Sequence, residues 1–150
     1  MPDSVEKQYQ RIFDQLKELL NKTDNKTAKM ATVAALLFHK MPQFFWVGFY
    51  ILHEEDLTVG PYQGPLACQV LEKKKGVCWS SLLKKKTIIV PNVHKYPEHI
   101  PCDSRSNSEI VVPFYSPDKK IWTVLDVDST KFDAFSETDR IWLEKITSLI

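Results

Sequence analysis

The sequence predicts an α+β fold, a mainly antiparallel sheet with helices packed on its faces. Three observations carry this. Helical spacing of apolar residues marks the two ends of the chain and one short central stretch. Between them lie short runs rich in β-branched and aromatic residues, separated by turn residues. The runs at 45–51 and 57–63, and those at 109–115 and 121–127, are joined by short turns, and such hairpins imply a mainly antiparallel sheet. A chain of 150 residues and 17.4 kDa, 43% hydrophobic and 26% charged, is predicted to form one domain over 1–150 without disulfide staples.

The elements follow in order. Val5, Tyr9, Ile12, Phe13, Leu16, Leu19 and Leu20 repeat at helical spacing, with Asp3 and Glu6 placed as a capping pair. After the polar turn 21–25 a second helix is predicted over 27–41, with Met30, Ala31, Ala34, Leu37 and Phe38 inward and Pro42 as its stop. The run 45–51 has the character of a buried strand, and 53–56 turns the chain into a second strand at 57–63. A third strand is expected at 66–71. Gly76 opens a short helix carrying Cys78, Leu82 and Leu83, and 87–90 is a strand ended by Pro91. Residues 92–107 lack periodicity and read as a long loop of the kind that often carries function. Strands at 109–115 and 121–127 flank the turn 116–120. Ser136 caps a last helix with Ile141, Trp142, Ile146 and Leu149 inward.

Composition excludes several function classes. Twenty basic against nineteen acidic residues leave a formal charge of +1, which gives no bulk attraction for nucleic acid. The lysine runs 73–75 and 84–86 lack interleaved aromatics and read as solvated surface. The longest charge-free stretch, 57–71, is broken by Gly60, Pro61, Gly64 and Pro65, so no membrane span is expected. Asp3, Glu6, Lys7 and Arg11 leave no apolar signal core, and a cytoplasmic protein is the expectation. Against that background, three cysteines between 68 and 102 read as catalytic, metal-binding or simply buried.

The residues offer three kinds of chemistry. Cys78 stands at a predicted helix start, where the dipole favours thiolate, and Cys102 stands in the long loop beside Asp103. Packing as small hydrophobes is an equally good reading of either thiol. His94, His99 and Cys102 could supply three zinc ligands, but without a Cys-x-x-Cys pair the histidines are better read as loop hydrogen-bonders, and no metal is assigned. Asp126 and Asp128 alternate along a strand and share one face, with Glu109 opening the neighbouring strand. On an exposed edge they would be unremarkable; facing a pocket they would bind an ammonium or a metal ion.

Seven stretches occur in order: Trp46-Val47-Gly48-Phe49-Tyr50, Gly60-Pro61-Tyr62-Gln63-Gly64, Ala67-Cys68, Gly76-Val77-Cys78, His99-Ile100-Pro101-Cys102-Asp103, Ser108-Glu109-Ile110-Val111-Val112-Pro113 and Leu125-Asp126-Val127-Asp128-Ser129. Together they resemble the free methionine-(R)-sulfoxide reductases, which are GAF-domain enzymes. The resemblance implies a GAF-like, six-stranded antiparallel sheet around a small pocket, and reduction of free L-methionine (R)-sulfoxide without a cofactor. It implies thioredoxin as reductant, and leaves a homodimer open. Cys102 would be the catalytic thiolate, Cys68 the resolving thiol and Cys78 an alternative partner. Glu109 would be the acid, Asp126 and Asp128 would hold the substrate ammonium, and Trp46 and Tyr50 would enclose its methyl group. Trp79, Arg105 and Thr123 depart from the family pattern. The competing reading is a non-catalytic GAF module that senses a small ligand or a redox state.

Overall fold

Helix α1 (Ser4–Leu20) begins where the Asp3 carboxylate accepts the Glu6 backbone N–H at 2.8 Å, which satisfies a donor the helix cannot. It buries Tyr9, Ile12, Leu16 and Leu20, while Val5 and Leu19 stay on the solvent side. In α2 (Lys26–Lys40), capped by Asn25, the inward stripe is Met30, Val33, Ala34 and Leu37. Val33 takes the place expected for Ala31, which is exposed. Helix α4 (Glu137–Thr147) turns Leu143 and Ile146 inward and leaves Ile141 at 41% exposure, since two residues along a helix place a side chain on the far side. The computed structural model describes residues 3–99 and 102–150. Ile100 and Pro101, within the predicted long loop and the 99–103 motif, lie outside the described residues.

The sheet consists of β1 (Trp46–His53), β2 (Asp56–Gln63), β3 (Ile88–Val90), β4 (Ser108–Ser116) and β5 (Ile121–Ser129), with α3 (Gly76–Lys84) between β2 and β3. Its order is β2-β1-β5-β4-β3, with every neighbouring pair antiparallel. The α+β expectation holds, but among the described residues the sheet has five strands and not six. Residues 66–71 do not form the expected strand. Their one ladder contact is a bridge from Val70 to Thr58. Gly64, at φ +124°, turns the chain away from the β2 edge, and Pro65 has no N–H to give a ladder. The segment touches β2 only around that bridge, where Val59 N–H donates to Gln69 and Leu71 N–H to Leu57, and Cys68 joins it to Cys102.

Strand alternation divides the interior in two. Val47, Phe49, Ile110, Val112, Leu125 and Val127 face α1, α2 and α4. At ~1.5–3 kcal/mol for each large side chain buried, this layer fixes the register, because a one-residue slip would turn all of it to the other face. Tyr9 of α1 donates its hydroxyl to Asp139 of α4 at 2.5 Å, and the same carboxylate accepts the Ser136 N–H at 2.8 Å. The opposite face carries Trp46, Tyr50, Val111 and Val124 under α3. Both lysine runs are exposed, and among the described residues no helix is long and apolar enough to cross a membrane.

Candidate active site

The register of the three central strands assembles the site. Across β1, β5 and β4, Trp46 pairs with Asp128 and Asp128 with Glu109; one step along, Gly48 pairs with Asp126 and Asp126 with Val111. Two rungs of one sheet face therefore bring Glu109, Asp126 and Asp128 together. Gly48 is required there for space: a Cβ would stand 2.4 Å from the Trp46 ring and from the Tyr62 Cβ. With that side chain absent, the Trp46 indole folds over its own strand, 5.9 Å from Tyr50 and 5.3 Å from Tyr62 in stacked pairs.

A cavity of ≈ 60 Å³ lies on this face, lined by Trp46, Tyr50, Cys78, Cys102, Glu109, Asp126 and Asp128, among others. Cys68, the remaining predicted site residue, is joined to Cys102 by a disulfide with 5.5 Å between Cα atoms. The two aromatic rings tether the segment that carries Cys68. Trp46 Nε1 donates to the Pro65 carbonyl and Tyr50 Oη donates to the Cys68 carbonyl, each at 3.0 Å.

The electrostatics are unusual. Glu109 and Asp126 are 7% and 6% exposed, and Asp128 is half-buried beside them. Burial pushes the Glu109 carboxyl well above its ordinary range, and the neighbouring Asp126 and Asp128 add to the rise. Asp128 is raised by burial and then by Asp126. Asp126 is also raised by burial, but Glu109, Asp128 and Cys78 pull the other way as donors toward it. Asp126 is thus the group of the three that most favours ionisation, while Glu109 is pushed toward its protonated form. One oxygen of Asp126, Oδ1, is buried without a hydrogen-bond partner.

No buried cation among the described residues compensates these carboxyls. Lys75 reaches the cavity lining, but its ammonium is half-exposed and pairs with Glu72 at 2.9 Å. Arg105 is committed to Asp103, with contacts of 2.8 and 3.0 Å, and lies over the Phe45 ring. Burial pushes the His99 imidazole down, toward its neutral form. Among the described residues, the site is an acidic pocket without a buried positive charge.

One expectation changes, that for Cys78, while the reading of His94 as a loop hydrogen-bonder agrees with the structure. Cys78 stands in the first turn of α3, but burial, followed by Asp126, Glu109 and Asp128, pushes its thiol well up, so the helix dipole does not make it a thiolate. His94 contacts Asn107 Oδ1 through Nε2 at 2.7 Å, and Cys102 is taken by the disulfide, so the set His94, His99 and Cys102 does not form. The close set is instead Cys78, Glu109 and Asp126, whose ligand atoms lie within 4.8 Å of one another.

Two of the three departures are accommodated, and the third, Trp79, is buried with its indole N–H unpartnered among the described residues. Trp79 is buried in the same apolar layer as Cys78, Arg105 clamps Asp103, and Thr123 sits within an unbroken β4–β5 ladder. Sequence reasoning missed Ser106, buried against the cavity, and Tyr62, stacked on Trp46. Tyr62 would have been visible only with the β1–β2 register in hand.

The GAF domain family matches residues 29–150 of this chain. GAF domain-containing protein A of Dictyostelium discoideum is 44% identical over 148 residues, covering 98% of this chain and 92% of that protein. A free methionine-R-sulfoxide reductase of Saccharomyces cerevisiae is 39% identical over 133 residues, covering 84% of this chain and 74% of that one. Among solved structures, the free methionine-R-sulfoxide reductase of Neisseria meningitidis in complex with its substrate superposes with a TM-score of 0.91 at 34% identity, covering 99% of this chain and 89% of that one. On these matches, the chain belongs to the free methionine-R-sulfoxide reductase family of GAF-domain proteins.

Proposed function

We propose that residues 1–150 act as one GAF domain that reduces free L-methionine (R)-sulfoxide to L-methionine. The observation that carries this reading is a cavity bordered by the Cys68–Cys102 disulfide and floored by the buried carboxyls of Glu109 and Asp126 and the half-buried Asp128, without a buried cation among the described residues. An amino acid brings the missing charge: its ammonium sits against Asp126 and Asp128. Trp46 and Tyr50 enclose the methyl group, and backbone N–H groups near Cys102 take the substrate carboxylate.

A sulfoxide sulfur becomes a good electrophile only as its oxygen is protonated. The raised Glu109 is the proton donor. The Cys102 thiolate attacks the sulfur as Glu109 protonates the oxygen. The S–O bond breaks as hydroxyl passes to the Cys102 sulfur, leaving methionine and a sulfenic acid. The Cys68 thiol then displaces that hydroxyl as water and forms the disulfide present in this structure. Cys78, buried and neutral, stands outside this exchange and would resolve only as a substitute for Cys68. Thioredoxin reduces the Cys68–Cys102 bond by thiol exchange, so each turnover moves two electrons from thioredoxin to the substrate and releases one water. Dependence on such a donor makes a reducing compartment, the cytoplasm, the setting we propose.

The test is NADPH consumption with thioredoxin, thioredoxin reductase and each free sulfoxide diastereomer in turn. Turnover of the (R) form alone is expected. Tight binding of a small ligand with no turnover of either diastereomer would favour a sensing module instead.

A further inference from the structure

The pocket lacks a cation, and an ammonium is not the only cation that its floor fits. Cys78 projects from α3, while Glu109 and Asp126 project from adjacent strands, so the three ligand atoms come from rigid elements. They lie within 4.8 Å of one another, and all three residues are buried. Zinc bonds of about 2.0–2.3 Å in a tetrahedron set ligand atoms about 3.3–3.8 Å apart, so side-chain rotation of an ångström or so would close the set. An independent observation points to a missing partner: Asp126 Oδ1 is buried and accepts no hydrogen bond, and the residue is 6% exposed. A native carboxylate oxygen left this way commonly awaits a bound species.

The donor set also selects the ion. One sulfur and two carboxylate oxygens are poor hosts for magnesium or calcium, which demand six or more oxygens. They suit a borderline-soft ion of the zinc class, held by three protein ligands with the fourth position open to the cavity. The ≈ 60 Å³ there leaves room for a metal-bound water.

We propose that Cys78, Glu109 and Asp126 form a binding site for a zinc-class divalent ion in the floor of this cavity, so that the ion and the ammonium of an amino-acid substrate exclude each other. The Cys78 thiol and the Glu109 carboxyl each release a proton to solvent as their bonds to the metal form. The ion site stands on geometry alone; its competition with substrate rests on the reductase reading above.

The disulfide form gives a clean test, because the chain has three cysteines and Cys78 is then the one thiol left. Cobalt(II), a spectroscopic stand-in for zinc, should bind this form at one ion per chain and give thiolate-to-cobalt charge-transfer absorption. Zinc should bleach that band. Cys78→Ser should abolish it, and Asp126→Asn and Glu109→Gln should each weaken zinc binding at least about tenfold in calorimetry, with folding checked by circular dichroism. No band in the disulfide form overturns the proposal, as does a band whose strength and zinc affinity are unchanged in both carboxyl variants. In steady-state turnover zinc should inhibit competitively against free methionine sulfoxide; purely non-competitive inhibition overturns the exclusion. A protein that forms the cobalt band but reduces neither diastereomer keeps the ion site and refutes the reductase reading. One that turns over substrate and binds no ion does the reverse.

Discussion

Asp126→Asn keeps the shape of the side chain and removes its charge, and the structure gives two consequences that can be read separately. Asp126 is 6% exposed and has one oxygen with no partner, so in the proposed complex that oxygen is free for the substrate ammonium. A hydrogen bond to a charged group contributes about 1.5–3 kcal/mol, so kcat/KM should fall about 10- to 150-fold. The second consequence concerns Glu109. After burial, the charge on Asp126 is the largest cause holding the Glu109 carboxyl up. Without it the Glu109 pKa falls, and the protonated acid is lost at a lower pH than in the parent. The alkaline limb of the kcat/KM profile should therefore move toward acid, though only in part, because burial remains. Methionine formation in single turnovers with pre-reduced protein measures both effects without the pH dependence of coupling enzymes. Unchanged kinetics would place Asp126 outside the site. A loss of affinity with an unmoved limb would keep the ammonium contact and refute the coupling to Glu109.

Further outcomes follow from the same geometry. Cys102→Ser should abolish even one turnover, whereas Cys68→Ser should give one methionine per chain and lose thioredoxin-driven cycling; normal cycling by Cys102→Ser would move the nucleophile to another thiol. Against the N-acetyl amide of methionine (R)-sulfoxide, kcat/KM should drop about a thousandfold, since leaving a buried charge unpaired costs roughly 3–5 kcal/mol; equal values would show that the charged termini are not recognised. Glu109→Gln should slow the chemical step yet stabilise the fold at neutral pH by about 0.5–2 kcal/mol. The sign follows from its raised pKa: above the ordinary carboxyl value of 4.5 the unfolded chain has lost a proton that the folded one keeps, so this group lowers stability as pH rises from there toward its raised folded value. Urea melts at neutral and acid pH should therefore show the gain shrinking as the medium becomes acid. Tyr9→Phe, which leaves an oxygen of Asp139 without its donor, should cost about 1–3 kcal/mol of stability in the same melts and leave kcat/KM unchanged.

The zinc-class site and the reductase reading meet in one physical feature, buried acid without a resident base. Ionised carboxylates crowded out of water are costly, and a fold keeps them where a transient cation repays the cost. The same crowding pushes Glu109 toward its protonated form while Asp126, beside it, is the more readily ionised.

Much of this was local enough to read from residue order. The helical stripe of α1, the Asp3 cap, the β4–β5 hairpin and the shared face of Asp126 and Asp128 depend on periods of 3.6 and 2 and on near neighbours, and each agrees with the structure. The errors arose where a residue's partner is distant in sequence. Residues 66–71 carry a strand-like composition, but Gly64 and Pro65 and the disulfide from Cys68 to Cys102 limit their pairing with β2 to a single bridge at Val70. Cys78 has the position of an activated thiol, yet burial between α3 and the sheet, with carboxyls from β4 and β5, pushes its thiol up. Residue spacing alone left the thiols and acids as separate lists, and only the register of β1, β5 and β4, with α3 laid across it, made them one cavity. Side-chain direction along a strand is set by the chain's own covalent geometry, whereas the charge state of a buried group depends on everything packed around it.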